Sequence, residues 1–164
     1  MRRKKVCFFA ELDVSALRDC LVALDIDGTL GPHGCEELAP GILQQIAILV
    51  VGGNLVRLVS NNTDSGRAKR LAAILGVEVA ESAHYKPDPR ALGDVPEHLK
   101  ERPLVVIGDK VLTDGRFAKR LGARFYKVKI VRSDDDPWSV RTHYALDWLV
   151  RPFFRYTAPG SAGQ

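Results

Sequence analysis

The chain has 164 residues, a formal net charge of +4, 46% hydrophobic residues and 27% charged residues. This composition is typical of a globular protein and excludes a disordered, collagenous or low-complexity chain. The longest apolar run, residues 46–51, is far shorter than the about 20 residues that a membrane-spanning helix needs. The three cysteines include no C-x-x-C pair, so we expect neither a disulfide framework nor a zinc site.

The excess positive charge comes from residues 2–5, Arg-Arg-Lys-Lys, because the remaining basic and acidic residues balance. We therefore expect no nucleic-acid-binding surface. The N-terminal basic arm, residues 1–10, has two interpretations: a solvated tail or an electrostatic tether to anionic lipid. The cysteine pattern favours a cytoplasmic location, either free or peripheral at the membrane.

Short apolar segments alternate with amphipathic ones along the chain. Strands are predicted over residues 20–26, 55–59, 77–80, 104–107 and 124–131. Helices are predicted over residues 36–52, over a segment with Ala68, Leu71, Ala72 and Leu75 on one face, over 117–121, and from Pro137 towards residue 150. Residues 82–102 are predicted to be mostly loop, with one or two helical turns.

This alternation predicts an α/β fold with a doubly wound parallel sheet between two helical layers. We expect residues 1–164 to form one domain. Its core would cover about residues 20–131, and a C-terminal helix would cover about residues 137–156. Ligands of such sheets bind beyond the carboxyl ends of the strands. Asp25 and Asp27 follow the first predicted strand, Ser60 the second and Asp109 the fourth.

The segment Asp25-Ile26-Asp27-Gly28-Thr29 is the strongest functional signal. Residues i and i+2 of a strand face the same side, so both carboxylates are expected to face one spot. Two carboxylates at that separation repel each other unless a cation or a proton lies between them. The alternative is a strand that simply ends in a polar turn.

Three further segments follow in order. Ser60-Asn61-Asn62 combines a hydroxyl group with the amides of a helix start, which suits a phosphate oxygen or a plain helix cap. Lys86 lies in a proline-rich loop that would hold its ammonium group at a fixed point. The alternative is an ordinary surface lysine. Residues 105–114 read VVIGDKVLTD, so that Asp109 follows a predicted strand and Asp114 lies at a predicted helix start. The alternative is that this segment is a simple cap between strand and helix.

In this order the four segments resemble the motifs of the haloacid dehalogenase-like (HAD) superfamily of phosphohydrolases. Residues 12–30, the Ser-Asn-Asn of residues 60–62 and GDKVLTDG of residues 108–115 are similar to subfamily IIIA, which includes phosphatidylglycerophosphate phosphatases. The resemblance implies a HAD-like Rossmannoid fold and a Mg²⁺-dependent phosphomonoester hydrolase. Asp27, where P-type ATPases carry Thr, favours hydrolysis over a long-lived phosphoenzyme.

The resemblance also implies roles for the carboxylates. Asp25 would be the nucleophile that forms an aspartyl-phosphate, and Asp27 the general acid and then the general base. Mg²⁺ would be held by Asp25, Asp109 and the backbone carbonyl of Asp27. Asp114 would support the site, either through a metal-bound water or by orienting Lys86.

The transferring phosphoryl group would be bound by Ser60, Asn61 and Lys86. Phosphoryl transfer depends mainly on positioning and on charge neutralisation, and an ammonium group beside Mg²⁺ supplies both.

The gaps between Asp27 and Ser60 and between Ser60 and Lys86 leave no room for the cap domain that HAD enzymes usually carry. An uncapped site favours a bulky substrate, such as phosphatidylglycerophosphate or another lipid phosphate. The alternatives are a sugar- or histidinol-phosphate type phosphatase whose site is closed by oligomerisation, and a non-catalytic interaction module. The oligomeric state stays open.

Trp138, Trp148 and Arg141 belong to an aromatic and arginine-rich stretch near the C-terminus. One interpretation is a helix that covers the sheet. The other is an interfacial anchor, because Trp beside Arg suits the headgroup layer of a membrane.

Overall fold

The computed structural model describes residues 6–150 and 152. Its sheet has five parallel strands in the order β3-β2-β1-β4-β5. They are β1 (Leu21–Leu24), β2 (Leu55–Leu58), β3 (Glu78–Val79), β4 (Leu104–Gly108) and β5 (Arg124–Lys127). The helices are α1 (Pro40–Val51), α2 (Ser65–Leu75), α3 (Arg116–Leu121) and α4 (Trp138–Val150). The predicted parallel three-layer α/β fold is confirmed.

Shorter turns complete the chain. Single 3₁₀ turns form at Phe9–Glu11, Pro89–Leu92 and Glu97–Leu99, and a π-helical turn at Val111–Gly115 leads directly into α3. The two turns at Pro89–Leu92 and Glu97–Leu99 agree with the loop predicted over residues 82–102.

Strand β1 lies at the centre of the sheet, and all four of its residues are buried. Val22 and Leu24 pack into one core, against apolar residues of α1 and α2. Leu21 and Ala23 pack into the other core, which includes Phe117 of α3. Alternate side chains of a strand point to opposite faces, so a strand buried on both faces must be apolar throughout.

Helix α1 begins at Pro40, four residues later than the predicted start at residue 36. Proline lacks a backbone N–H and therefore suits the first helical position, while the residue before it is disfavoured in helical geometry. Ala39 accordingly has an extended conformation. Helix α2 is capped by Asp64, whose side chain accepts a hydrogen bond from the backbone N–H of Arg67.

Strand β5 ends at Lys127, although the apolar pattern predicts a strand up to residue 131. Lys127 pairs with Gly108, the last residue of β4. Beyond Gly108 the chain of β4 turns out of the sheet, so residues after Lys127 have no strand on which to continue the ladder.

Both chain ends differ from the expected boundaries. Phe9 and Leu12 are fully buried in the core, so the N-terminal arm cannot extend to residue 10 and the core begins well before residue 20. The basic residues 2–5, and residues 153–156 of the predicted last helix, lie outside the described residues. In the part of the chain that is described, no helix has the length and apolar character needed to cross a membrane.

The register of the sheet brings three strand ends together. Leu24 of β1 pairs with Leu58 of β2 and with Ile107 of β4, so the residues that follow these three positions meet at one edge. The chain between Asp27 and Ser60 contains α1 and β2, and the chain between Ser60 and Lys86 contains α2 and β3. Neither connection holds an inserted domain, as the sequence predicts.

Candidate active site

Three buried carboxylates meet at this edge of the sheet. Asp25 follows β1, Asp109 follows β4, and Asp114 lies in the π-helical turn. Each is at least 90% buried, and each offers an oxygen within 4.8 Å of the other two. Within the described chain this is the group of acidic side chains with the geometry to hold a metal ion.

Lys86 lies against this carboxylate triad. Its Nζ atom donates to Oδ1 of Asp25 and, over 2.7 Å, to Oδ1 of Asp114. Lys86 is 5% exposed, which rules out the surface-lysine alternative. The structure therefore brings Lys86 to the nucleophile candidate across 61 residues of sequence.

Asn61 holds the backbone of Lys86. Its side-chain amide donates to the carbonyl oxygen of Lys86 over 2.8 Å, and its side-chain oxygen accepts from the N–H of Lys86 over 2.7 Å. Both the nitrogen and the oxygen of the Asn61 side-chain amide are thus hydrogen-bonded to the backbone of Lys86. The Asn61 side chain therefore holds the backbone of Lys86, and the phosphate-binding role of Asn61 stays a prediction.

The turn that follows β1 depends on the residue types at positions 28 and 29, which are Gly28 and Thr29. Gly28 has φ = +89°, and a Cβ atom at this position would lie 2.5 Å from Oδ2 of Asp109. A side chain would therefore displace the carboxylate as well as strain the backbone. The hydroxyl of Thr29 donates to Oδ2 of Asp25 over 3.1 Å and lies 3.4 Å from Oδ1 of Asp109.

The carboxylate of Asp27 lies outside the triad, contrary to the expectation that it faces the same spot as Asp25. Its Oδ1 accepts from the guanidinium of Arg67 over 2.8 Å and from the N–H of Gly34 over 2.9 Å. The alternation of side chains holds within a strand, and β1 ends at Leu24, before either aspartate.

The Asp27 carboxylate nevertheless borders the predicted phosphate-binding segment. Its Oδ2 lies 3.5 Å from Oγ of Ser60 and 3.5 Å from the side-chain amide of Asn62. The Ser60 hydroxyl also accepts the N–H of Asn62 over 3.0 Å. Ser60 therefore stands beside Asp27 at the start of the segment that leads into α2.

Sequence reasoning missed Arg67. This residue is 4% exposed, and it also donates to the carbonyl of Cys35. Its position carried a signal, because Arg67, Leu71 and Leu75 are spaced by four residues along the buried face of α2. An arginine on a buried helical face requires a partner, and here that partner is Asp27.

Two lysines, the partly buried Lys110 and the buried Lys127, were also missed. The Nζ atom of Lys110 lies 3.1 Å from the backbone oxygen of Asp27 and 3.4 Å from both carboxylate oxygens of Asp109. The Nζ atom of Lys127 contacts the backbone oxygen of Asp109 and lies 3.5 Å from Oδ2 of Asp147 in α4. The sequence held a signal for each residue: Lys110 directly follows Asp109, and Lys127 ends an apolar strand.

Burial and charge act in opposite directions on the carboxylates. Burial would raise the pKa of Asp25, but the ammonium groups of Lys86 and Lys110 outweigh it and hold that pKa below its ordinary value. Burial, together with the negative charges of Asp25 and Asp114, raises the pKa of Asp109 well above its ordinary value. Burial likewise raises the pKa of Asp114. Burial would lower the pKa of Lys86, yet Asp114 and Asp25 raise it.

The residues present fit a divalent cation. Oδ2 of Asp109 is buried and accepts no hydrogen bond among the described residues, and the cation beside it is the ammonium group of Lys110 at 3.4 Å. An unpartnered buried carboxylate oxygen is costly unless a cation or a proton meets it. Carboxylate and carbonyl oxygens are the ligands that hard cations such as Mg²⁺ and Ca²⁺ prefer. The buried triad can therefore hold a metal ion.

Comparisons with known proteins bear on the fold alone. No protein-family model and no curated protein sequence matches the chain. The chain is similar in structure to a crystal structure of an uncharacterized protein from Listeria monocytogenes serotype 4b. The two share 16% sequence identity and a TM-score of 0.51, over 81% of this chain and 99% of the other. This likeness supports the α/β fold and says nothing about chemistry.

Proposed function

We propose that the chain is a Mg²⁺-dependent phosphomonoester hydrolase of the HAD superfamily that acts through an aspartyl-phosphate. The observation that carries the proposal is the contact of Lys86 with Asp25 and Asp114, beside Oδ2 of Asp109, which accepts no hydrogen bond within the described chain. A nucleophilic carboxylate, an ammonium group and a metal-binding oxygen within one buried cluster are what phosphoryl transfer requires.

In the first step an oxygen of Asp25 attacks phosphorus, and the bond from phosphorus to the leaving oxygen breaks. Asp27 gives its proton to that leaving oxygen. Lys86 offsets the charge on the phosphoryl oxygens, and Ser60 donates its hydroxyl hydrogen to one of them. Asp25, Asp109 and the backbone oxygen of Asp27 would hold Mg²⁺, which would supply further positive charge at the same group.

In the second step water attacks phosphorus in the aspartyl-phosphate. The Asp27 carboxylate removes a proton from this water, the bond from phosphorus to Asp25 breaks, and phosphate leaves. Arg67 and the N–H of Gly34 fix the orientation of Asp27 for both steps. The proton that Asp27 gives to the leaving oxygen in the first step is thus recovered from the attacking water in the second.

A lipid phosphomonoester, such as phosphatidylglycerophosphate, is the substrate that we propose first. No inserted domain covers the strand ends, so a headgroup presented at a membrane has access. Helix α4 carries Trp138 and Trp148, which are 77% and 72% exposed and suit a headgroup layer. Residues 2–5 add a basic sequence of the kind that anionic lipid attracts.

A small polar phosphate ester is the second candidate. A groove of about 330 Å³ begins at Ser60 and runs between α2 and the loop after β3. Its volume suits a small leaving group. Its lining is largely polar, with Asn62, Lys69, Ser82 and His84 among its side chains. A site of this type would be closed by a second subunit.

The first experiment is hydrolysis of p-nitrophenyl phosphate by the purified full-length protein with Mg²⁺, compared with the Asp25→Asn variant. Turnover by the native chain and its loss in the variant are expected. Absence of turnover of every phosphate ester by well-folded protein would favour the non-catalytic interaction module instead.

The second experiment compares kcat/KM for the lipid phosphate in anionic vesicles with kcat/KM for soluble glycerol and sugar phosphates. A higher value in vesicles, reduced by salt or by deletion of residues 1–5, is the expected result. Better turnover of a soluble phosphate without vesicle binding would shift the assignment to the second candidate.

A further inference from the structure

Lys110 lies inside the candidate metal site. Its ammonium group is 3.1 Å from the backbone oxygen of Asp27 and 3.4 Å from both carboxylate oxygens of Asp109. Its backbone N–H donates to Oδ2 of Asp114 over 3.0 Å. Both ends of the residue therefore belong to the carboxylate cluster.

The oxygens that Lys110 contacts are also the ones proposed for Mg²⁺. The backbone oxygen of Asp27 and the carboxylate of Asp109 must approach Mg²⁺ to about 2.0–2.1 Å. An ammonium group 3.1–3.4 Å from these oxygens lies in the space that the metal ion would enter, and so opposes that approach. A dication and an ammonium group in one buried ligand set also repel each other strongly, because the interior screens charge poorly.

We propose that Lys110 serves as a built-in cation that holds the metal site in the metal-free protein, and that Mg²⁺ binds as this ammonium moves aside. The inference rests on the proposed metal site and concerns its regulation. Lys110 is then a positioning residue, because it acts on Mg²⁺ through Asp27 and Asp109.

The structure offers the displaced ammonium group a place to go. The centroid of the Tyr144 ring, on α4, lies 5.7 Å from Nζ of Lys110, and the lysine side chain is 21% exposed. Rotation about the outer bonds of the side chain can move Nζ away from Asp109 towards solvent, because the guanidinium of Arg132 already lies 5.1 Å from the centroid of the same ring.

The charge balance couples metal binding to phosphate binding. Three carboxylates face the ammonium groups of Lys86 and Lys110, so the cluster without metal carries one excess negative charge. Replacement of the Lys110 ammonium group by a dication would bring the three carboxylates, Lys86 and the dication to zero net charge, which favours a bound phosphate dianion more than the metal-free cluster does. Each ligand therefore improves the site for the other, and this coupling must be reciprocal.

The test measures Mg²⁺ binding directly by titration calorimetry, with no substrate present. The Lys110→Met variant removes the charge without adding an oxygen ligand, and Lys110→Arg keeps the charge. We expect about tenfold tighter Mg²⁺ binding by Lys110→Met than by the native chain, and no such gain for Lys110→Arg. Lys129→Met, which removes an exposed ammonium group outside the cluster, is the matched control.

A second titration repeats the measurement with inorganic phosphate present. Phosphate should tighten Mg²⁺ binding by Lys110→Met more than by the native chain, because the displaced ammonium group in the native chain offsets part of the positive charge that Mg²⁺ adds. Equal Mg²⁺ affinity of the native chain and Lys110→Met would overturn the role of Lys110 and leave the metal site standing. Failure of every folded variant, and of the native chain, to bind a divalent cation would overturn the metal site itself.

Discussion

The guanidinium of Arg67 donates to Oδ1 of Asp27 over 2.8 Å, and both residues are more than 90% buried. The pair links α2 to the turn that follows β1 across 40 residues of sequence. Because the same arginine also binds the carbonyl of Cys35, it fixes the direction of the Asp27 carboxylate rather than merely compensating its charge.

Replacement of Arg67 by Lys should reduce kcat about tenfold or more and change KM little, because lysine keeps the charge but loses the planar fork. Steady-state kinetics with an aryl phosphate measures this split. Arg70→Lys, on the same helix but in an exposed pair with Glu36, is the matched control and should behave like the native chain. A rise in KM with unchanged kcat would assign Arg67 to substrate binding instead.

Asp25→Asn should abolish turnover, because the amide keeps the shape of the side chain but cannot act as the nucleophile. Mass spectrometry of quenched reactions should show the phosphorylated protein for the native chain and none for the variant. Asp135→Asn, at an exposed position, serves as the control. Retention of native activity by Asp25→Asn would exclude the aspartyl-phosphate mechanism.

Lys86→Met should destabilise the metal-free protein by about 3–5 kcal/mol, because it leaves Asp25 and Asp114 buried without their ammonium partner. Urea denaturation in EDTA measures the change. Addition of Mg²⁺ should restore part of the loss, since a dication compensates the same carboxylates. Lys100→Met removes an exposed ammonium group paired with Glu97 and should change the stability by less than about 1 kcal/mol.

Removal of metal with EDTA should stop turnover, and added Mg²⁺ should restore it. Mg²⁺ should also raise the Tm of the native chain in the absence of substrate, because a ligand that binds only the folded state stabilises it. The Asp109→Asn variant should lose most of this shift in Tm. Full activity of protein shown to be metal-free by elemental analysis would contradict the proposed cofactor.

Asp25 and Asp109 should affect the pH dependence of stability in opposite ways. The lowered pKa of Asp25 contributes stability that is present above about pH 4 and is lost as the pH falls through the folded-state pKa. The raised pKa of Asp109 contributes stability that is present below about pH 4 and is lost as the pH rises through the folded-state pKa.

Urea denaturation in EDTA from pH 3 to pH 8 checks these signs. Relative to the native chain, Asp109→Asn should lose less stability as the pH rises. Asp25→Asn should lose less as the pH falls. If Asp25→Asn instead lost less stability as the pH rises, and Asp109→Asn lost less as the pH falls, the raised pKa would belong to Asp25 and the lowered pKa to Asp109.

Much of the fold was readable from local patterns. A short, wholly apolar β1 requires burial on both faces, and Pro40 and Gly76 mark helix ends through their backbone geometry. The predictions that were wrong concern the ends of elements whose limits depend on contacts with a distant part of the chain. Strand β5 ends where β4 leaves the sheet, and Phe9 is buried because it packs against core residues that are distant in sequence.

The sequence by itself determined which residue types lie at the strand ends, because order and spacing along the chain place Asp25, Ser60 and Asp109 after buried strands. The direction of each side chain was decided by the tertiary structure. Asp25 turned towards Lys86, whereas Asp27 turned away towards Arg67. The position of Lys110 against Asp27 and Asp109 likewise depended on how β1 and β4 pack side by side. Such contacts join residues far apart in sequence, and no local pattern specifies which buried charge pairs with which.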